Sequence, residues 1–421
     1  MLDIQIITNP NEIPCELKPE IDCATPSTTY LLYKNNKLTG WGQILFHNET
    51  EHEVAYINIA PGYRRQGLGS KLVHYMIYNC PSQILMLTTI SPEFFLKLGF
   101  KKMSSLPSFV NYNDPECMRC KPKQCQSLQF SKPSALVKFR ADRDCQSKYI
   151  QLLKEEESMI SELSPVNNCM WALPENPYFI KIDDLLFIAA FPFENESYGV
   201  ILPYPEIAAR TLEKFFNILR SMNIKKIKYQ TNTSLTRLKL AKRFTVTEDR
   251  DNFDYLYKTL DFANFEGSKF VKKRNRLKRF LKNHPQHSII PYCKEQKAET
   301  LTFARDLTSK IMKLPQIYSY EILKHGLDNN LLKGFLLKVG ETLVGLLFYS
   351  ELNSSTAIVH FELIHPDFDG AAQLINNHLG LELKDNYTFI NREQDMGLPG
   401  LRRSKLSYRP YRLLKKYDVK Y

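Results

Sequence analysis

Apolar and polar residues alternate in short runs over the first 120 positions, interrupted by stretches where apolar residues recur every three or four. Residues 30–33 and 42–46, separated by Asn35-Asn36, read as a hairpin. Residues 54–59 read as a further strand, with Val54, Tyr56 and Asn58 on one face and Ala55, Ile57 and Ile59 on the other. Leu68, Leu72, Tyr75 and Met76 sit at helical spacing and predict a helix from about Gly67 to Cys80-Pro81. A strand at 84–88, a short helix at 91–98 with Gly99 as its C-cap, and a strand opening at Phe100 complete this block.

Residues 117–133 read as a linker. Beyond it, 178–182 and 185–188 flank Asp183-Asp184 as a second hairpin. A helix over about 205–222 carries the stripe Ile207, Leu212, Phe215, Phe216 and Leu219. Residues 255–265 then lead into a basic helix. Further on, 335–339, 343–349 and 356–363 form an antiparallel meander, followed by a helix at 371–383 and a strand at 389–390. Meander, helix, strand is also the order of the first block, so repeated folds without sequence repetition are expected. The class is α/β in the mixed α+β sense, with mostly antiparallel sheets flanked by helices.

A length of 421 residues exceeds one comfortable core and calls for two or three domains. The longest apolar run, 185–193, is too short to cross a bilayer, so no transmembrane segment is expected. The N-terminus lacks the basic and apolar regions of a secretory signal, which makes a cytoplasmic location the expectation. Nine cysteines without framework spacing are read as reduced. Cys117, Cys120 and Cys125 lack a fourth ligand nearby, so no metal is expected there. The net charge of +12 is uneven: residues 1–126 hold 12 basic against 11 acidic side chains, and nearly all of the excess lies beyond them. RNA, an anionic lipid surface or a phosphorylated cofactor are the partners such a back part suits.

Candidate chemistry starts at Ile59-Ala60-Pro61-Gly62-Tyr63-Arg64-Arg65-Gln66-Gly67-Leu68-Gly69-Ser70. A helix N-terminus after a strand offers free N–H groups and a favourable dipole to an anion. Glycines at 67 and 69 would let a pyrophosphate approach the backbone, and Arg64 and Arg65 add charge. Ile59, Arg64, Arg65, Gln66, Gly67, Leu68, Gly69 and Ser70 are therefore the candidate cofactor contacts. Together with Phe94-Phe95-Leu96-Lys97-Leu98-Gly99-Phe100, this stretch resembles the GNAT acetyltransferase family over about residues 1–115. The resemblance implies acetyl-CoA, or another acyl-CoA, and a small-molecule amine or amino-acid-like acceptor. Many relatives carry a tyrosine, the general acid toward the thiolate, where this chain has Phe95. That role then passes to water or another residue, or the domain is an inactive acyl-CoA sensor. Glu51 and Glu53 are the carboxylates nearest the expected site, and Glu53 is the candidate base.

From 269 to 282, eight of fourteen residues are Lys or Arg, with Phe270, Leu277, Phe280 and Leu281 as an apolar seam. Such a helix attracts phosphates, unless the acidic run Glu248-Asp249-Arg250-Asp251 partly neutralises it. The segments 249–257, 267–275, 390–397 and 400–410 resemble the phosphatidylglycerol lysyltransferase C-terminal-type family over roughly 130–421. Members have two fused GNAT-like halves, and the best-known ones move an aminoacyl group from tRNA to a lipid. The resemblance implies three GNAT-like units, at 1–126, 127–265 and 266–421. It also implies an aminoacyl-transferase-like back part using aminoacyl-tRNA or another activated donor. Lys272, Lys273, Arg274, Arg276, Arg392, Asp395, Arg402 and Lys405 are its candidate substrate or RNA contacts. Two alternatives stay open: a non-catalytic RNA- or phosphate-binding module, and an ion-pair network of Arg392, Glu393, Asp395, Arg402 and Lys405 that fixes the last strand. Leu363 stands where soluble relatives often carry a lysine.

Overall fold

The runs that alternate in sequence become strands, and a computed structural model describes them over residues 2–110, 125–139, 142–193, 195–310 and 316–421. The described elements form three seven-stranded sheets flanked by helices. Two compact units share the chain: 1–139 with 174–199 and 208–225, and 140–173 with 200–207 and 226–421. Cys117 and Cys120 lie outside the described residues.

In the first unit, Leu2–Ile7, Ser27–Lys34, Lys37–Phe46 and His52–Ile59 make an antiparallel meander. Asn35 and Asn36 turn the expected hairpin, both at positive φ, as a tight two-residue turn demands. Ile84–Thr89 runs parallel beside His52–Ile59, and Gln126–Ser131 and Lys101–Lys102 complete the sheet. The helix Leu68–Asn79 buries Leu72, Val73, Met76 and Ile77 completely, each contributing roughly 1.5–3 kcal/mol of transfer free energy.

The expected alternation of residues 54–59 is corrected at Tyr56. This residue has φ 53°, and the register slips so that Trp41 opposes Asn58 while Gln43 opposes Ala55. A bulge of this kind inserts one extra residue and resets the faces, so Val54 is buried while Tyr56 is 41% exposed. On the strand's other edge the parallel pairing is limited to Glu53 opposite Met86. Beyond that pair the two strands part.

The same unit holds the antiparallel strands Leu136–Lys138, Pro177–Ile182 and Leu185–Ala190, the last two turning at Asp183 with φ 52°. The helix expected from about 205 is Ala209–Ser221. Ala208 stays extended (ψ 140°), which leaves Ile207 ahead of the helix and Leu212, Phe215, Phe216 and Leu219 as its buried stripe.

In the second unit the meander Lys333–Val339, Thr342–Asn353, Thr356–Ile364 forms as expected, with Phe389–Asn391 parallel to the start of its third strand. Thr259–Asn264, Val271–Asn283 and Ala371–Leu383 cover one face through Phe262, Phe280, Ile375 and Leu379. Pro165–Met170, Lys297–Lys310 and Gln316–Asp328 cover the other through Met170, Ala304 and Leu323. No described helix is long and apolar enough to cross a membrane.

A buried charge cluster ties distant parts of this unit together. Lys416 Nζ, fully buried, lies 2.7 Å from Asp254 Oδ1 and also meets Glu162. Ser161 donates its backbone N–H and its hydroxyl to Asp254, at 2.8 and 2.7 Å, and Asn391 adds a third donor at 3.2 Å. Burial pushes Glu162 up to about 7 against the pull of Lys416, with Asp254 adding to the rise. Removing the cation that pairs with both carboxylates strands them away from water. Lys416→Met is therefore expected to lower unfolding stability by about 3–5 kcal/mol. Urea titration followed by circular dichroism reads this, and an unchanged midpoint would contradict it.

Candidate functional site

Where the two strands of the first unit part, a cleft of about 1160 Å³ opens. Its walls are the bulged edge from Ala55 to Ile59, the opposing Leu87, Thr88 and Thr89, and the start of the helix Leu68–Asn79. Phe94 and Phe95 also line it, Phe95 being 8% exposed and packed edge-on against Phe94 and Phe100.

The loop that enters the helix holds itself in shape. Arg64 Nε donates to Ile59 O at 2.7 Å, and Gln66 Nε2 donates to Gly62 O at 3.2 Å while accepting from Lys34. Gly67 has φ 77°, a conformation a side chain resists, and it leaves the helix without a side-chain cap. The space argument from sequence is sharpened here. A Cβ at Gly67 would meet nothing within 4 Å, and one at Gly69 would only touch Phe94 and Ile59 at 3.5–3.6 Å. Backbone conformation, rather than crowding inside the protein, is what asks for glycine at 67. Ile59, Arg64, Arg65, Gly67, Leu68, Gly69 and Ser70 all line the cleft, whereas Gln66 braces the loop.

At the start of the bulged strand the cleft is acidic. Glu53 accepts from His47 Nε2 at 2.9 Å, and that imidazole stacks on Phe109 with centroids 4.3 Å apart. Burial raises the Glu53 carboxyl above its ordinary range; His47 opposes the rise and Asp22 adds to it. Asp22 behaves oppositely. Burial is outweighed by hydrogen bonds from Thr25 and Ala24, aided by His47, so this carboxyl is held low. Gln43, itself buried, grips the backbone of Asp22 at both N–H and carbonyl (2.9 and 2.8 Å). Glu51 is turned to Ser108, whose N–H and hydroxyl lower it, and it is absent from the cleft wall. Sequence reasoning did not single out Asp22 or His47. They reach Glu53 only through the fold.

The second unit gathers another polar group where Thr356–Ile364 and Phe389–Asn391 stop pairing after Ile358 and Asn391. Arg392, 8% exposed, pairs with Glu362 and lies over Tyr408, 5.0 Å from the ring centroid. Asn376 Nδ2 donates to the other Glu362 oxygen at 2.9 Å. Arg392 Nη1 and Asn376 Oδ1 are both buried with no hydrogen-bond partner among the described residues. His360 bridges Ser350 Oγ (2.8 Å) and Glu393 Oε1 (3.0 Å). Gly370, ahead of the helix Ala371–Leu383, differs from Gly67. A Cβ there would meet Arg276 O at 2.4 Å, so the backbone of the basic helix closes this helix start.

Other predicted residues sit in internal contacts. Asp395 is fully buried and held by Arg402 through both oxygens at 2.9 Å, with Arg250 at 3.1 Å and the Tyr255 hydroxyl at 2.5 Å. Burial works against its ionisation, but Arg402, Tyr255 and the Gly397 N–H outweigh it and hold Asp395 at about 2. Lys405 donates to the Arg392 and Gln394 carbonyls, and burial followed by Arg392 pushes it down to about 8. Lys273 is buried 3.5 Å from the Tyr408 ring centroid, donates to Ser407, and is pushed to about 8 by burial first and Arg392 next. Arg274 donates to the Phe265 and Gly267 carbonyls. Lys272, Arg276, Lys278, Arg279 and Lys282 remain exposed.

Two expectations for the basic helix are corrected. Leu281 is 38% exposed and lies outside the seam. The acidic run does not neutralise the helix: Glu248, Arg250 and Asp251 pair with Lys415, Asp395 and Arg402, and Asp369 pairs with Arg276 and Arg279 instead. No group of three or more His, Cys, Asp or Glu is placed to hold a metal among the described residues.

A family profile described as phosphatidylglycerol lysyltransferase, C-terminal, matches residues 204–420, and one described as acetyltransferase (GNAT) family matches residues 2–100. An uncharacterized protein of Mycoplasmoides gallisepticum is 26% identical over 173 residues, 40% of this chain and 56% of that one. The chain thus spans little more than half the length of this curated relative. A conserved protein of unknown function from Bacteroides thetaiotaomicron is 26% identical with a TM-score of 0.62, covering 66% of this chain and 96% of that chain. L-PGS from Bacillus licheniformis is 10% identical with a TM-score of 0.48, covering 65% and 91%.

The placement of the lysines separates two neighbours. Lys273→Ala is expected to cost about 1–3 kcal/mol of stability through its lost ring and hydroxyl contacts, and Lys272→Ala less than about 0.5. Equal shifts in urea midpoint would contradict this placement.

Proposed function

The chain belongs to the family described as phosphatidylglycerol lysyltransferase, C-terminal, with a GNAT acetyltransferase segment ahead of it, and on that footing we propose an acyl-CoA-dependent N-acetyltransferase joined to an aminoacyl-transferase-like unit. The observation that carries the first half is the helix start behind Gly67, without a side-chain cap, opening into a cleft walled by a strand whose parallel pairing ends at Glu53. The residues present fit an acyl-CoA. N–H groups of Leu68, Gly69 and Ser70, with Arg64 and Arg65 nearby, would hold the pyrophosphate. Past Glu53, where the parallel pairing ends, the backbone of Ile57 to Ile59 would hydrogen-bond the amide-bearing arm. Such a cofactor supplies a thioester whose carbonyl accepts an amine, the new N–C bond replacing the C–S bond and releasing the thiol.

Glu53 takes the ammonium proton, and a carboxyl raised above its ordinary range is the stronger base. His47 holds that carboxylate in place through its hydrogen bond. Phe95 has no proton to give, so the thiolate takes its proton from water. The apolar ring still narrows the cleft beside Phe94.

For the second unit, the reading is an activated acyl or aminoacyl donor held against Glu362 and Arg392, whose orphaned Nη1 offers a donor to a ligand carbonyl. Aminoacyl-tRNA is the form of donor that the exposed cations Lys272, Arg276, Lys278 and Lys282 suit.

Gly67→Val places a β-branched residue at φ 77°, and acetyl-CoA affinity is expected to fall about tenfold or more. Calorimetric titration reads this, and undetectable binding to the unaltered protein would end the acyl-CoA reading. Glu53→Gln is expected to lower kcat/KM about 100- to 10,000-fold. In the unaltered protein the rate should fall as pH drops through the raised Glu53 value, because the protonated carboxyl cannot accept a proton. A pH profile identical in both proteins would remove Glu53 from the role of base.

A further inference from the structure

The acetyl-acceptor end of the first cleft has a charge pattern that bears on what enters it. Asp22 and Glu53 both line it, with His47 hydrogen-bonded to Glu53 and the rings of Phe109 and Tyr56 beside them. Among the described lining residues the fixed cations are Arg64 and Arg65, on the loop past the far end of the strand His52–Ile59. Glu53 and Ile59 are six positions apart along the strand, at most roughly 20 Å at the extended rise. Among the described residues, an acceptor reaching Glu53 therefore meets carboxylates, an imidazole and aromatic rings, and no guanidinium or ammonium.

Asp22 is built to stay. Its Oδ1 accepts the N–H groups of Ala24 and Thr25 at 2.6 and 3.0 Å, and neither of those bonds uses Oδ2. Gln43 fixes the backbone of the same residue. The two carboxyls are pushed apart, Asp22 toward the anion and Glu53 toward the proton, a division that separates a charge-holding group from a proton-accepting one. One proton leaves the reacting amine for Glu53. The charge on Asp22 adds to the rise of the Glu53 carboxyl but takes no proton itself.

We propose that the acceptor is a diamine, an aliphatic chain with a second ammonium group and no carboxylate beside the reacting nitrogen, and that Asp22 is the residue that reads the second positive charge. The proposal rests on the acyl-CoA reading of this cleft and narrows its acceptor, excluding free α-amino acids, whose carboxylate would face two acids. Phe109 and Tyr56 supply faces along which an alkylammonium chain lies favourably.

Three acceptors of one length separate the cases: 1,4-diaminobutane, 1-aminobutane and 4-aminobutanoate. With acetyl-CoA, kcat/KM for the diamine is expected to exceed that for the monoamine by about 10- to 100-fold, with the carboxylate compound lowest. Asp22→Asn keeps an oxygen for the Ala24 and Thr25 N–H groups and removes the charge, so the diamine-to-monoamine ratio should collapse toward one. Calorimetric titration of the CoA-loaded protein with the same compounds gives a readout independent of turnover, and the same order is expected. Equal or tighter binding of 4-aminobutanoate, or a ratio unmoved by Asp22→Asn, overturns the proposal. A protein that binds no acetyl-CoA fails at the earlier step, which the same calorimeter shows before any amine is added.

Discussion

A strand that stays paired on one edge and releases its other edge after a single residue pair is what the first unit is organised around. His52–Ile59 keeps its antiparallel neighbour along nearly its full length, yet meets Ile84–Thr89 only at Glu53 and Met86. The bulge at Tyr56 turns the released half so that its backbone groups face a cleft instead of another strand. Backbone groups that leave a sheet need other partners, and Arg64 Nε supplies one for the Ile59 carbonyl. The glycine-led helix start, the carboxylates and the phenylalanine rings all take their places around that opening.

The second unit repeats the opening and changes its contents. Thr356–Ile364 and Phe389–Asn391 also pair in parallel and then part. The helix that follows starts behind Gly370 at φ 100°, as the first unit's helix starts behind Gly67, but the backbone at Arg276 lies against it. An anion site at that helix start is closed. Glu362, Arg392 and Asn376 instead present paired charge with one unused donor and one unused acceptor. The two openings share an architecture and differ in the ligand chemistry they suit.

Much of this was legible in the chain. Both meanders, the helix behind Gly67, the helix Ala371–Leu383 and the turn at Asn35-Asn36 follow from spacing and turn chemistry, which are local. What stayed hidden depends on residues brought together by folding. The bulge at Tyr56 leaves no mark in a run whose polar and apolar positions alternate normally. Asp22 lies 31 positions before Glu53, and Gln43, on the neighbouring strand, holds its backbone in place. Lys273 looks like its neighbours in a basic run, and only the Tyr408 ring removes it from the exposed face. Asp254 and Lys416 are 162 positions apart and form the centre of a buried cluster.

An acyl-CoA bound as proposed lies along the cleft side of His52–Ile59 with its phosphates at the helix start. Amide hydrogen exchange resolved by peptide, with and without acetyl-CoA, tests that placement directly. Slowed exchange is expected in two peptides, one covering 54–60 and one covering 66–71, with little change in the meander strands Ser27–Lys34 and Lys37–Phe46. Protection confined to other segments, or none at saturating acetyl-CoA, would contradict it.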